Sequence, residues 1–467
     1  MIQPIFATLF VLLFYLIGIA GAAHALLKAR EPRSALIWVT ICLFLPLLGT
    51  LCYTLFGINR MKKVTQRWHS YGFSQILRAG HHRWAPNIVK LPAEYESLLY
   101  SGNAFLKTAI CTGCKISPLF DAEEAYPAMI KAIRDAKESI FLVSYIFSSS
   151  ALGHEFVEAL ADAVARKVEV KVLIDGVGVL YTWPLTYRQL KKRGIPVRLF
   201  LSPFHSLRGF LFLNMRNHAK ILVMDGKLGF TGGMNITAKA LHDVHFQCEG
   251  SIVGTLQEVF LNLWYFAHLE KETPRFLFYD DSVKGNAIVR GIDSGAYCDF
   301  PSIAYRLLAA MGTAKKHIRI MTPYFVVGQI MASALMLARF RGVEVEIILP
   351  EKNNLSFVKG ATEALLPSLI KQGVQFYYRQ GAFAHTKIAI VDDCFVCLGS
   401  SNLDTRSFLL NFEFNLEVYD EVLAHSLIQH FESIKQNSRF ITAKSLQAQS
   451  FVIKFRNALC KLFSPYL

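Results

Sequence analysis

The stretch that decides the fold is RNHAKILVMDGKLGFTGGMN, residues 216–235. Its apolar core reads as a buried strand, yet His218 and Lys220 stand two positions apart at its start. A strand has a period of two, so both side chains are expected on one face. Asp225-Gly226 is a tight-turn dipeptide. Residues 227–231 should therefore return as the neighbouring strand and carry Gly232, Gly233 and Asn235 back beside the histidine.

The same hardware recurs 167 residues later. His218-x-Lys220-x4-Asp225-x6-Gly232-Gly233-x-Asn235 is matched without a gap by His385-x-Lys387-x4-Asp392-x6-Gly399-Ser400-x-Asn402. In a chain of this composition one His-x-Lys-x4-Asp match is expected by chance only roughly 0.03 times. The flanking sequence repeats as well. Residues 128–147 and 306–326 each read as a helix followed by a strand, VEVKVLID (168–175) pairs with VEVEIILP (343–350), and residues 190–200 echo 369–378. Asp121 and Glu124 have capping-box spacing before the first of these helices. Helices alternating with short apolar strands predict an α/β layered fold of two similar lobes.

Each half offers an imidazole, an ammonium and an amide around one anion-sized spot. The small residues are expected to let the anion approach the backbone. Two converging copies support a two-step displacement at phosphorus. One imidazole attacks and forms a covalent intermediate; the other protonates the leaving alcohol and deprotonates the incoming one. Lys220, Lys387, Asn235 and Asn402 are placed to stabilise charge on the phosphoryl oxygens. An acceptor that fixes the imidazole tautomer is also needed. Glu413 is the candidate within the second half, and Asp243 is its counterpart in the first. Asp225 and Asp392 complete the motif set and read as structural, closing the strand turn. The chemistry calls for no metal and no cofactor.

Composition names the partner. Net charge is +15, 53% of residues are hydrophobic, and mean hydropathy is +0.32. A basic balance suits an anionic partner, nucleic acid or lipid, and the apolar excess favours lipid. Residues 5–27 hold no Asp, Glu, Lys or Arg and are long enough to span a bilayer. Residues 35–56 form a second apolar stretch with Pro46 inside it. Ala23-His24-Ala25 resembles a signal-peptide cleavage site. The missing basic leader, the length of the run and the second stretch favour a retained two-helix hairpin. Lys28, Arg30 and Arg33 in the hairpin loop nearly balance Arg60, Lys62, Lys63 and Arg67 beyond it. Residues 60–90, with Arg78 and Arg83 and no acid, read as a polybasic collar and point to a cytoplasmic catalytic domain. Residues 444–467 also lack acids, and Val452, Phe455, Leu459 and Leu462 fall at helical spacing. That pattern fits an interfacial amphipathic helix or a helix packed on the domain. Two C-x-x-C pairs, Cys111/Cys114 and Cys394/Cys397, suggest zinc, but the odd spacing sends the second pair to opposite faces of its strand.

The two His-x-Lys-x4-Asp motifs resemble those of the phospholipase D superfamily. Residues 30–57, NMRNHAK (214–220), MTPYFV (321–326) and GSSNLDTRSFLLNFEFNLEVYD (399–420) resemble bacterial cardiolipin synthases. The resemblance covers nearly the whole chain. It implies two αβ lobes related by a pseudo-twofold with the active site between them, and His218 as the nucleophile. It also implies phosphatidyl transfer between two phosphatidylglycerol molecules, giving cardiolipin and glycerol. Two departures stand out. Ala219 occupies a position where the family commonly has an arginine, which would remove one headgroup contact. DSGAYCDF (293–300) replaces the usual Ser-Gly-Pro of the interlobe loop.

The expected organisation is a transmembrane hairpin (1–58), a basic juxtamembrane segment (59–120), a first phospholipase D-like lobe (121–270), a linker (271–303), a second lobe (304–440) and a C-terminal amphipathic segment (441–467). The alternative activity is a membrane-bound phospholipase D that hydrolyses or uses another donor lipid, since both chemistries share the covalent intermediate. A nuclease would have no need of an apolar anchor. A non-enzymatic scaffold would show a broken motif, and both motifs are intact.

Overall fold

The computed structural model of the chain describes residues 2–28, 32–57, 91–106, 108–204, 213–237, 242–268, 280, 282–295, 298 and 300–464. The collar of residues 60–90 lies outside them, as do parts of the hairpin loop and of the interlobe loop at 293–300. Contacts divide the chain into two units, 1–66 and 67–467.

In the first unit, α1 (Ile2–Lys28) packs against α2 (Pro32–Phe44) and α3 (Pro46–Cys52). One helix alone among the described residues is long and apolar enough to cross a membrane, Thr8–Lys28. The expected second helix is not continuous. Pro46 begins α3, and Leu45 before it leaves helical geometry (φ −127°, ψ 70°). A residue preceding proline is driven out of the α region by the proline ring. The arms meet through small residues. A Cβ on Gly18 would stand 2.6 Å from the Cys42 carbonyl oxygen. Thr50 Oγ1 donates to the Ile17 carbonyl at 3.3 Å, and the His24 ring meets the Tyr53 hydroxyl at 2.8 Å. Close backbone approach and cross-helix hydrogen bonds hold apolar helices together where water provides no driving force.

In the second unit, the periodicities read from the sequence become two copies of one seven-stranded pattern. The first lobe has β1 (Ile110–Phe120), β2 (Ser139–Ser144), β3 (Glu169–Asp175), β4 (Val197–Phe200), β5 (Ile221–Met224), β6 (Leu228–Gly232) and β7 (Val244–Glu249). The second lobe has β8 (Ala287–Ser294), β9 (His317–Met321), a short β10 (Phe325–Val326), β11 (Glu344–Pro350), β12 (Gln375–Arg379), β13 (Ile388–Val391), β14 (Phe395–Gly399), a short β15 (Leu403–Asp404) and β16 (Glu413–Tyr419). The main sheet runs β12-β11-β9-β13-β14-β16-β8 and then β1-β7-β6-β5-β2-β3-β4, with β17 (Ser438–Phe440) on the outer edge of β12. Read outward from the β8–β1 junction, the two halves have the same order. That is the pseudo-twofold.

The helices follow from their apolar stripes. α4 (Ala93–Ser101) contributes Tyr95, Leu98 and Leu99 to the second lobe's core, the cluster that holds Ile303 and Leu307. In the first lobe α5 (Asp121–Asp135) precedes β2, α6 (Ala151–Ala165) and α7 (Thr186–Lys192) flank β3, and α8 (Ile252–His268) follows β7. In α5 the residues Ala125, Tyr126, Met129, Ile130 and Ile133 recur every three or four positions and are buried. Every residue of β2 is buried, because α5 and α6 cover one face and α8 the other; Phe141 stacks on Phe260 at 5.2 Å. Each such phenylalanine contributes about 1.5–3 kcal/mol of apolar burial. The capping expectation at α5 holds by half. The Phe120 N–H donates to Glu124 at 2.9 Å, but the Asp121 carboxylate accepts from the Asp243 N–H at 3.0 Å, tying the helix start to the segment before β7.

The second lobe repeats this with α9 (Ser302–Thr313), α10 (Gln329–Phe340), α11 (Ser356–Lys371), the short α12 (Thr405–Leu409) and α13 (Glu421–Gln436), followed by α14 (Ala443–Gln447) and α15 (Phe451–Leu462). Near the lobe junction, Glu417 is fully buried between Arg306, at 2.6 Å, and Arg290, at 3.9 Å. The same arginines donate to the Leu98 and Leu99 carbonyls at the end of α4, which supplies the hydrogen bonds that buried charges require.

Candidate active site

His218 and Lys220 do not lie within a strand as expected. They immediately precede β5, and His385 and Lys387 likewise precede β13. Here the chain leaves its own sheet and bonds to the opposite lobe. The His218 and Ala219 N–H groups both donate to the Phe412 carbonyl, at 2.8 and 3.0 Å. In the mirror arrangement the His385 N–H donates to the His242 carbonyl at 2.7 Å. Each histidine is thus fixed by backbone from the other half.

The carboxylates are exchanged in the same way. The pairing expected within each half is not observed. His218 Nδ1 meets Glu413 of the second lobe at 2.9 Å, and His385 Nδ1 meets Asp243 of the first at 3.0 Å. Chain separation hid this: the partners are 195 and 142 residues apart. Both carboxylates are buried, and each favours the tautomer of its ring that carries the proton on Nδ1. Burial alone would raise the Glu413 carboxyl, but His218, Lys220 and the Ser400 hydroxyl outweigh it and hold it below the ordinary range. Ser400 Oγ donates to Glu413 at 2.5 Å and Asn411 Nδ2 at 3.2 Å.

The repeat explains the difference at the motif's small residues. Where the second lobe has Ser400, the first has Gly233. A Cβ there would sit 2.6 Å from Asp243 Oδ2. Gly233 makes room for the orienting carboxylate, a purpose different from the anion approach expected of it. Gly232 and Gly399 have φ of 149° and 150°, a conformation open to glycine, and press against β7 and β16.

Both lysines point into the same buried space. Lys220 Nζ donates to the His218 carbonyl at 2.6 Å, and Lys387 Nζ to the His385 carbonyl at 2.7 Å while lying 3.0 Å from the His385 ring nitrogens. Burial pushes Lys220 down to about 7, against the pull of Glu413, and Lys387 down to about 8, against the pull of Asp243. Burial also lowers both histidines to about 4. Each lysine's charge reaches the other lobe's histidine, so the two motifs form one electrostatic site. At neutral pH it holds two neutral imidazoles beside two partly charged lysines, whose full charge a bound anion restores.

Asn235 and Asn402 are buried beside this space. Asn235 Oδ1 accepts the Ile146 N–H at 3.1 Å, which leaves its NH2 to donate. The amide oxygen of Asn402 has no partner among the described residues. Asp225 and Asp392 stand apart from the histidines. At φ 52° and 51° they turn their carboxylates onto the backbone N–H groups that open a neighbouring strand: Lys137, Glu138 and Ser139 for Asp225, and Lys315, Lys316 and His317 for Asp392. They bind the hairpin turn to β2 and β9 rather than merely closing the turn.

Sequence reasoning missed two supporting residues. Tyr145, at the end of β2, lies edge-on to His218 at 5.3 Å, with Lys220 Nζ 5.9 Å from its ring centre. Asp175 accepts the Asn217 N–H at 2.8 Å and pairs with Arg216 at 3.4 Å, bracing the approach to His218. The available signal was an acid ending the apolar run VEVKVLID. The cysteine pairs lie on β1 and at β14, which two other strands separate in the sheet.

Comparisons with known proteins identify the family. The family model described as cardiolipin synthase, PLD-like domain, matches residues 129–264 and 307–435. The chain is similar to cardiolipin synthase 1 of Staphylococcus epidermidis, with 30% identity covering 94% of this chain and 93% of that protein. It is similar to cardiolipin synthase A of Pseudomonas entomophila at 28% identity, covering 100% and 99%. Among solved structures, the phosphatidylserine synthase of Haemophilus influenzae matches with a TM-score of 0.61 over 80% of this chain and 99% of that one. At 14% identity that likeness concerns the fold.

Proposed function

The chain belongs to the cardiolipin synthase family of phospholipase D-like proteins, and from that premise we propose that it joins two phosphatidylglycerol molecules into cardiolipin and glycerol. The enzyme is a phosphatidyltransferase and is membrane-associated. The observation that carries the mechanism is the crossed pairing of His218 with Glu413 and of His385 with Asp243.

His218 Nε2 attacks the phosphorus of the first phosphatidylglycerol. The P–O bond to glycerol breaks, and His385 gives its proton to the departing oxygen. His385 is neutral in the empty site; an anionic phosphodiester beside it raises its proton affinity and loads it for this step. The hydroxyl of a second phosphatidylglycerol then loses its proton to His385 and attacks phosphorus, and the P–N bond to His218 breaks. Lys220, Lys387, Asn235 and Asn402 hold the phosphoryl oxygens throughout. His218 is favoured as nucleophile by the additional support that Ser400 and Asn411 give its carboxylate. Asp225 and Asp392 act on the scaffold.

The apolar α1 is the one helix among the described residues long enough to anchor the chain in a membrane. The excess of Lys and Arg after it favours a cytoplasmic catalytic unit.

The test uses the reversibility of transfer between similar esters. Purified full-length protein in phosphatidylglycerol liposomes should form cardiolipin. Added glycerol should suppress cardiolipin, and labelled glycerol should enter phosphatidylglycerol. Steady release of phosphatidic acid without label exchange would replace the synthase with a hydrolase.

A further inference from the structure

α15 packs on the catalytic unit the wrong way round. Its buried residues are Asn457 and Cys460. Asn457 Nδ2 donates to Glu363 of α11 at 2.9 Å, and Cys460 packs among Val326, Val358 and Ala361. The opposite face carries Phe451, Val452, Phe455, Leu459 and Leu462, all exposed, with Phe451 at 79%. A helix that sits on a soluble domain normally turns its apolar stripe inward. Here the polar and small side makes the contact, and the apolar side faces out.

Charge indicates what covers that face. Lys454 and Lys461 are seven residues apart on one flank of the stripe, and Arg456 lies on the other. Residues 444–467 contain no acid. A second copy of this helix would set like charges against each other. An anionic bilayer surface takes the apolar stripe into its acyl boundary and the flanking cations into its headgroups.

The helix is also connected to the chemistry. Tyr324 packs on the cluster that holds Cys460, its ring lies 6.3 Å from Phe383, and Phe383 lies 5.8 Å from His385. In the first lobe a matching set of apolar residues is exposed: Leu180, Tyr181 and Trp183, the last at 79%. Tyr181 reaches Tyr145 at 6.0 Å, and Tyr145 reaches His218. An exposed apolar residue therefore stands one ring away from His218, and the buried seat of α15 stands two rings away from His385.

We propose that α15 lies in the headgroup layer of an anionic bilayer with its apolar face inserted, and that with Tyr181 and Trp183 it seats the mouth of the site on the lipid surface. An N-terminal anchor provides proximity, whereas this surface provides orientation. The inference rests on the lipid-transfer reading only in taking the substrate to enter from the bilayer.

The experiment uses the full chain in liposomes of phosphatidylcholine with or without phosphatidylglycerol. A fluorophore on Phe455→Cys, with the identically treated unsubstituted chain as blank, should be quenched by lipids brominated in their acyl chains, most strongly in anionic vesicles. The triple variant Phe451→Ser, Leu459→Ser, Leu462→Ser should turn over vesicle lipid at least about tenfold more slowly, since each large apolar side chain withdrawn weakens docking by roughly that factor. Its turnover of short-chain monomeric phosphatidylglycerol should be unchanged. Absence of quenching overturns the proposal. So does an equal loss on both substrates, which makes the helix structural, or shielding of the fluorophore that grows with protein concentration in detergent, which makes a second copy the occupant. If the unsubstituted chain makes cardiolipin from neither substrate, the transfer reading fails while the quenching result stands by itself.

Discussion

Glu413 of the second lobe accepts the Nδ1–H of His218 of the first at 2.9 Å, across 195 residues of chain. Neither lobe contains a complete reactive histidine by itself. Each provides the imidazole of one dyad and the carboxylate of the other.

Glu413→Gln should therefore impair the His218-dependent step specifically. The amide can present NH2 to Nδ1 and force the other tautomer, which blocks the attacking nitrogen. A wrong tautomer costs a comparable histidine on the order of 10⁴-fold. Rapid-quench measurement should show slow formation of the phosphatidyl-enzyme in a variant that unfolds at the wild-type temperature. An unaltered rate would assign Glu413 to structure.

The two histidines should fail differently. His218→Ala and His385→Ala should each lower turnover by about 10²–10⁴-fold, the range of a lost general acid–base or nucleophile. With labelled lipid, His385→Ala should place its label on His218, formed slowly because the leaving oxygen has lost its acid, and His218→Ala should trap none. Label found on His385 in the His218→Ala chain would reverse the roles.

The pH dependence follows from burial. Attack needs a neutral His218, and the neutral fraction rises as pH passes upward through about 4. Phosphate binding needs charged lysines, and their charge is lost as pH rises through about 7 for Lys220 and about 8 for Lys387. Because His385 must also take up a proton on binding, the free-enzyme profile, kcat/KM, should decline gradually above its value of about 4 and drop further as the lysines lose their charge. The alkaline limb of kcat should lie higher, because a bound anion favours the ammonium forms. Glu413 raises the proton affinity of Lys220, so Glu413→Gln should move the alkaline limb of kcat/KM to lower pH. A limb that stays in place would mean that Lys220 does not set it.

Asp225 and Asp392 should behave as scaffold. Each carboxylate accepts three backbone N–H groups between 2.8 and 3.0 Å. Asp225→Ala leaves those donors without their partner and should cost about 1–3 kcal/mol. Thermal unfolding should shift downward while the folded fraction keeps kcat within a few-fold. Lost kcat with unshifted unfolding would return Asp225 to the chemistry.

Much was legible in the chain before any coordinates. The duplicated motif, alternating periodicities and paired segments such as VEVKVLID and VEVEIILP determined two αβ lobes of equal plan, because local spacing decides which side chains share a face. The proposed site residues were legible for the same reason: His218, Lys220, Asn235 and their repeats are local patterns. Tertiary structure decided what local patterns do not encode. It set which carboxylate serves which histidine, since the backbone bonds from Phe412 to His218 and from His242 to His385 join segments far apart in sequence. It revealed that Gly233 and Ser400 accommodate Asp and Glu of different length, a matter of packing across strands. It turned α15 over, burying Asn457 and Cys460, because a helix's period defines its faces and only its neighbours determine which one is covered.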